Sequence, residues 1–166
     1  MTRIILVLGG ARSGKSVYAE GLFAQDAAPF YLATGQAFDD EMRERITHHR
    51  QSRGGKWRTL EEPLDLAGAL SRCQGPALVD CLTLWISNLM MAGADVGKAV
   101  EELAVLLPQL ARKVVLVSNE VGLGIVPDNA MAREFRDHAG RANQRIAAIA
   151  DQVVFIAAGL PLILKG

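Results

Sequence analysis

Apolar residues in this chain fall into short unbroken runs separated by longer stretches with helical periodicity. Ile4–Leu8, Ala77–Val79, Val114–Val117 and Val153–Ala157 are aliphatic blocks without polar alternation, the pattern of strands buried on both faces, and Phe30–Ala33 is a fifth. Between and around them the spacing predicts helices over Ser13–Gln25, Asp40–Ser52, Leu64–Arg72, Leu82–Met91, Val96–Ala111 and Asn129–Ala150. In the last of these, Met131, Phe135, Ala139, Ala142, Ile146 and Ile149 form one stripe, which predicts a helix laid against a sheet. The closing segment from Gly159 to Lys165 predicts an edge strand after a turn. Strands alternating with helices imply parallel pairing through right-handed crossovers, hence an α/β fold with a mostly parallel sheet and helices on both faces. No repeat or linker interrupts the pattern, so residues 1–166 read as a single domain.

Ligands of such sheets sit beyond the carboxyl ends of the strands. The strand list therefore becomes a site list: the residues after Leu8, then Thr34 and Gly35, then Asp80, then Asn119 and Glu120. The first of these is the most specific. Gly9-Gly10-Ala11-Arg12-Ser13-Gly14-Lys15-Ser16 is a glycine, four residues and Gly-Lys-Ser, set between a strand and a helix. Its glycines let backbone N–H groups turn inward onto phosphate oxygens at a helix start. Lys15 is expected on the β- and γ-phosphates and Ser16 on Mg²⁺, so the chain reads as a P-loop NTPase-like nucleoside triphosphate binder. Asp80 ends an aliphatic run, where phosphate-loop proteins carry a carboxylate of the Mg²⁺ shell. An Asp there suits equally the N-cap of the helix beginning at Leu82.

The stretch Asp39 to Arg50 places acids in its first turn and bases toward its end, matching a helix dipole. His48 and His49 close it, about 100° apart around a helix, so they cannot converge on one metal ion. His49 shares a side with Met42 and Ile46, whereas His48 shares the polar side with Glu41 and Glu44. The pair suits a favourable charge at a helix end, and a neutral His48 also suits a nucleophile that forms a phosphoramidate. Downstream, Ser118 to Pro127 is a loop with two glycines, and the helix after it carries Arg133, Arg136, Arg141, Asn143 and Arg145 on its polar side. These arginines read as a solvated face with Glu134 and Asp137 as partners.

Composition narrows the classes. Eighteen basic residues balance eighteen acidic ones, which leaves no global field for nucleic acid or an anionic membrane. No apolar run approaches the length of a membrane span, and the chain enters a strand without a signal-peptide pattern, so a cytoplasmic location is expected. Cys73 and Cys81 lack metal-ligand spacing and read as core residues suited to a reducing compartment.

Taken together, the loop Gly9–Ser16, the segment Asp39–Arg50, the Trp57-Arg58-Thr59 step before Glu61, the loop Ser118–Pro127 and Gly140–Arg145 resemble the bifunctional adenosylcobinamide kinase/adenosylcobinamide-phosphate guanylyltransferases, in the same order over nearly the whole chain. The resemblance implies two reactions. ATP or GTP phosphorylates the aminopropanol hydroxyl of adenosylcobinamide. GMP from GTP then passes through a guanylyl-histidine to adenosylcobinamide phosphate, giving adenosylcobinamide-GDP and pyrophosphate. It implies that His48 is the guanylylated residue and that Gly9 to Ser16 hold phosphates. Nucleotide contacts are implied for Ala33, Thr34, Gly35, His49, Arg50, Gln51, Ser52, Glu61 and Asp80. A homo-oligomer, with a propeller-like trimer favoured, is implied as well. Position 80 is Asp where some members carry Glu, and the connection from Met91 to Val114 is short beside longer members. The rival readings are a phosphate-loop small-molecule kinase without a covalent intermediate and a GTP-dependent regulatory module.

Overall fold

The structure, a computed structural model, describes residues 4–36, 43–44 and 55–166. Seven strands form one sheet: β1 (Ile4–Gly9), β2 (Phe30–Ala33), β3 (Arg58–Glu61), β4 (Ala77–Asp80), β5 (Val114–Asn119), β6 (Gln152–Ala157) and β7 (Leu160–Lys165), in the order β3-β2-β4-β5-β1-β6-β7. All neighbours are parallel except β6 and β7. β1 lies inside the sheet, with Leu6 opposite Leu116 of β5 and Val153 of β6, and every residue of it is buried.

Strand alternation splits the core into two layers. Ile4, Leu6 and Leu8 turn to one face, Ile5 and Val7 to the other. The first face is covered by α2 (Leu66–Arg72), α3 (Leu82–Met91), α4 (Val96–Leu106) and α5 (Ala130–Ile149). The second is covered, among the described residues, by α1 (Lys15–Gly21), Phe23 and the rings of Tyr31 and Trp57. The Trp57 ring meets Phe23 and Tyr31 edge-on, with centroids 5.1 and 5.5 Å away. Because α1 leaves β1 over one face and α5 leaves β5 over the opposite one, the chain diverges beyond the carboxyl ends of these two adjacent strands, which opens a crevice there.

The periodicity locates most of these elements, and the differences have local causes. α1 spans Lys15–Gly21 rather than 13–25, because Gly14 stands at φ 96°, outside the helical region, and the chain turns after Gly21. α4 stops at Leu106, where a 3₁₀ turn with Pro108 replaces the expected continuation to Ala111. α2 begins at Leu66, two residues later than predicted, behind the Asp65 cap. β3 is an additional strand: all four of its residues are exposed at the sheet edge, so it carries no buried run to read. Met131 is 63% exposed and drops out of the expected α5 stripe, whereas Ala139, Ala142 and Ile146 are buried as predicted. The helix expected over Asp40–Ser52 lies outside the described residues apart from Arg43 and Glu44.

The α5 arginines pair differently from a simple solvated face. Arg145 donates two hydrogen bonds to Glu101 of α4, at 2.7 and 2.8 Å, and Arg133 donates to the Pro127 carbonyl. Arg136 has a carboxylate neighbour on its own helix, Asp137, at 3.8 Å. Asn143, grouped by sequence with this polar side, is buried and accepts from the Ser118 hydroxyl at 2.7 Å.

The two-layer core predicts a sharp contrast in stability. Leu116→Ala, in the fully buried middle of β5, is expected to lose about 2–5 kcal/mol in urea unfolding, and Val105→Ala, half exposed on α4, to stay within about 0.5 kcal/mol.

Candidate nucleotide site

The loop after β1 keeps its shape through contacts that tolerate no side chain at two positions. A Cβ on Gly9 would stand 2.5 Å from Ser13 Oγ and 2.7 Å from the Ile156 carbonyl oxygen. Gly14 combines φ 96° with a Cβ position 3.2 Å from Gly159 Cα. The Gly159 N–H donates to the Ser13 carbonyl at 2.8 Å, so the β6–β7 turn braces the loop from one side. On the other side the Glu120 N–H donates to the Gly9 carbonyl at 3.0 Å.

Within this frame Lys15 is 8% exposed, and its ammonium donates to the Gly10 carbonyl at 2.7 Å. Burial lowers its pKa from the ordinary lysine value; Cys81 and Asp80 act in the opposite sense. Cys81 itself is fully buried and its thiol is pushed up to about 11, by burial first and then by Asp80. At neutral pH the Cys81 thiol therefore stays protonated and puts no charge beside Lys15. Ser13 Oγ is buried against the Gly9 backbone without a hydrogen-bond partner among the described residues.

Asp80 ends β4, in register with Ala33 of β2 and Val117 of β5. The Tyr31 hydroxyl donates to its carboxylate. It does not cap α3. Cys81 holds that position and makes no side-chain cap bond, so of the two roles open to Asp80 in the sequence, the cap is not the one adopted. Thr34 fastens the neighbouring turn: its hydroxyl donates to the Cys81 carbonyl at 2.7 Å and accepts from the Cys81 N–H at 2.9 Å. Asn88, buried in α3, donates to the Thr34 carbonyl at 2.7 Å and to the Pro63 carbonyl at 3.1 Å. Asn119 donates to Thr83 Oγ1 at 2.7 Å, and Asn143 donates back to the Asn119 carbonyl at 3.3 Å. A continuous polar floor thus joins the ends of β2, β4 and β5 beneath the loop.

These contacts bring most of the sequence candidates to one edge of the sheet. Gly9, Gly10, Ala11, Arg12, Ser13, Gly14, Lys15 and Ser16 form the loop, with Arg12 at a left-handed φ of 53°. Ala33, Thr34 and Gly35 follow at β2, Asp80 at β4, and Glu61 ends β3 opposite Ala33. His48, His49, Arg50, Gln51 and Ser52 lie outside the described residues. Asn119 and Glu120 stand at the edge as expected, but Asn119 turns into the floor and Glu120 accepts from the Gly122 N–H at 2.6 Å. Tyr31, Thr83 and Asn88 were missed. Asn88 had a signal, a lone amide in an otherwise apolar helix face, whereas Tyr31 read only as part of an aromatic strand.

A metal would find oxygen donors here, the Ser16 hydroxyl and the Asp80 carboxylate. Among the described residues no cluster of three or more His, Cys, Asp or Glu offers an alternative cage. Two oxygens completed by phosphates and water suit Mg²⁺ rather than a softer ion.

Comparison with known proteins places the fold and the family. The fold resembles a prototypical ATPase from the type III secretion system of pathogenic bacteria at TM-score 0.58 and 15% identity, over 97% of this chain and 56% of that one. In sequence the chain is 49% identical to the bifunctional adenosylcobalamin biosynthesis protein CobP of Pseudomonas aeruginosa, over 97% of this chain and 96% of that protein. It is 42% identical to the corresponding CobU protein of Salmonella typhimurium, over 98% and 99% of the two chains. The family model described as cobinamide kinase / cobinamide phosphate guanyltransferase matches residues 5–164, and the chain belongs to that family.

Proposed function

We propose that this protein phosphorylates adenosylcobinamide on its aminopropanol hydroxyl with ATP or GTP, and then transfers GMP from GTP to the resulting phosphate. The observation that carries this reading is the phosphate loop itself, intact within a full-length family match, with Lys15 buried beneath it and Asp80 facing it. In the first reaction the acceptor oxygen bonds to the γ-phosphorus, the bridge to the β-phosphate breaks and the hydroxyl proton passes to water. Lys15 and the loop N–H groups stabilise charge on the transferring and leaving phosphates. Gly9 and Gly14 keep that loop closed.

In the second reaction a neutral His48 nitrogen bonds to the α-phosphorus of GTP while the bond to the bridging oxygen breaks and pyrophosphate leaves. A phosphate oxygen of adenosylcobinamide phosphate then displaces His48, giving adenosylcobinamide-GDP. This double displacement splits one difficult substitution into two. Ala33, Thr34, Gly35, His49, Arg50, Gln51, Ser52 and Glu61 are assigned to the nucleotide. Mg²⁺ bound with it at Ser16 and Asp80 would neutralise phosphate charge. Among the described residues no helix is long and apolar enough to cross a membrane, and we place the enzyme in the cytoplasm. A homo-oligomer, as a trimer, is supported by the family resemblance and by β7, an outer strand whose Leu160, Leu162, Ile163 and Leu164 are all exposed.

Incubation with GTP labelled at the α-phosphorus is expected to leave label on the denatured protein that survives base and is lost in acid. His48→Ala should abolish it and His49→Ala should retain it; the reverse pattern would transfer the nucleophile to His49. Formation of this adduct should fall about tenfold per pH unit below the imidazole range, since only the neutral ring attacks. Lys15→Ala is expected to lower both activities by roughly 10²–10³-fold. Full kinase activity in that variant would show that two separate sites are at work.

A further inference from the structure

Between Glu120 and Asp128 the chain carries no charged residue, and its apolar side chains face solvent: Leu123 is 82% exposed, Ile125 97% and Val126 60%, with Met131 nearby on α5 at 63%. Single exposed apolar residues are ordinary on a protein surface, whereas a contiguous group marks a surface that something covers. The segment is anchored at both ends. Its root is tied to the phosphate loop through the Glu120 N–H and the Gly9 carbonyl, and the Glu120 carboxylate holds the Gly122 N–H. Its far end is fixed by Arg133 on the Pro127 carbonyl at 2.8 Å and by Asn129, which caps α5 through the Ala132 N–H at 2.8 Å.

Position decides what the occupant is. This segment begins the crossover that leaves β5 over one face, while the phosphate loop begins the crossover that leaves β1 over the other, so the two flank the same crevice. A nucleotide gripped by the loop leaves the opposite wall of that crevice to the group that receives its phosphoryl. A second exposed apolar surface, β7, runs from the β6–β7 turn beside the loop down the outer edge of the sheet, away from the crevice. An acceptor of the cobinamide class is a large macrocycle fringed with methyl groups and neutral amides. Uncharged apolar side chains on a segment without charge match the methyl part of that fringe.

We propose that Leu123, Ile125, Val126 and Met131 form the surface on which the corrin ring of the acceptor rests, directing its aminopropanol arm toward the phosphate loop. This assignment rests on the cobinamide reading above. The test is equilibrium dialysis of cobinamide, followed by its visible absorbance, against the wild-type protein and L123S/I125S, with Mg-GTP binding and sedimentation velocity in parallel. The double variant is expected to bind cobinamide at least tenfold more weakly and to raise KM for cobinamide by a similar factor. Its GTP affinity should stay within twofold, and its kcat at saturation and its oligomeric state should be unchanged. Because the replaced side chains are exposed, the melting temperature should not move, and M131S alone should give a smaller loss in the same direction. Unchanged cobinamide affinity in the double variant, with the wild type binding, would overturn the docking surface alone. A change in oligomeric state would assign the patch to a second copy of the chain instead. A wild type that binds GTP but no cobinamide would overturn the functional reading, and the docking surface with it.

Discussion

A strand paired on both edges and covered on both faces has no side left for water, and β1 is such a strand. Both of its neighbours, β5 and β6, run parallel to it, so the chain leaves all three strands at the same edge of the sheet. Its alternating side chains demand an apolar layer above and another below. The residue that ends it, Gly9, must then turn the chain without a Cβ, because Ser13 and the Ile156 carbonyl already occupy that space. Loop, crevice and polar floor all follow from where this one strand is placed.

Much of this was legible in the sequence because buried parallel strands announce themselves as unbroken apolar runs. β1, β2, β4, β5 and β6 were all located that way, and β7 by its place after a turn. β3 was not, since an exposed edge strand needs only backbone pairing and its Arg58-Thr59-Leu60-Glu61 carries no burial signal. Helix ends were misjudged where backbone geometry rather than side-chain pattern sets them, as at Gly14 and before Pro108. Met131 fitted the helical stripe by spacing alone, but it stands in the first turn of α5, beyond the edge of the sheet that the rest of the stripe covers.

The candidate site was legible through its motif and opaque in its supports. Gly-Lys-Ser spacing identified the loop, and strand ends identified Thr34 and Asp80. What the sequence could not express is that Tyr31 reaches across to the Asp80 carboxylate, or that Thr34 clasps both sides of the Cys81 backbone. Such partners are set by neighbouring strands 47 or more residues apart in the chain, and periodicity carries no information about them. The floor they build is nonetheless nearly complete in its hydrogen bonding, which is what keeps so many polar groups tolerable beneath an apolar sheet edge.

Cys81 gives that floor an unexpected property. Thiol oxidation proceeds through the thiolate, and a thiol pushed up to about 11 holds roughly one part in ten thousand of that form at neutral pH. The sulfur also offers almost no surface to peroxide or a disulfide partner, being fully buried against Thr83. Cys73 is likewise buried, with its thiol also raised by burial. Two cysteines in such positions keep the thiols of the folded chain out of reach of oxidants, a protection that comes from packing rather than from its surroundings.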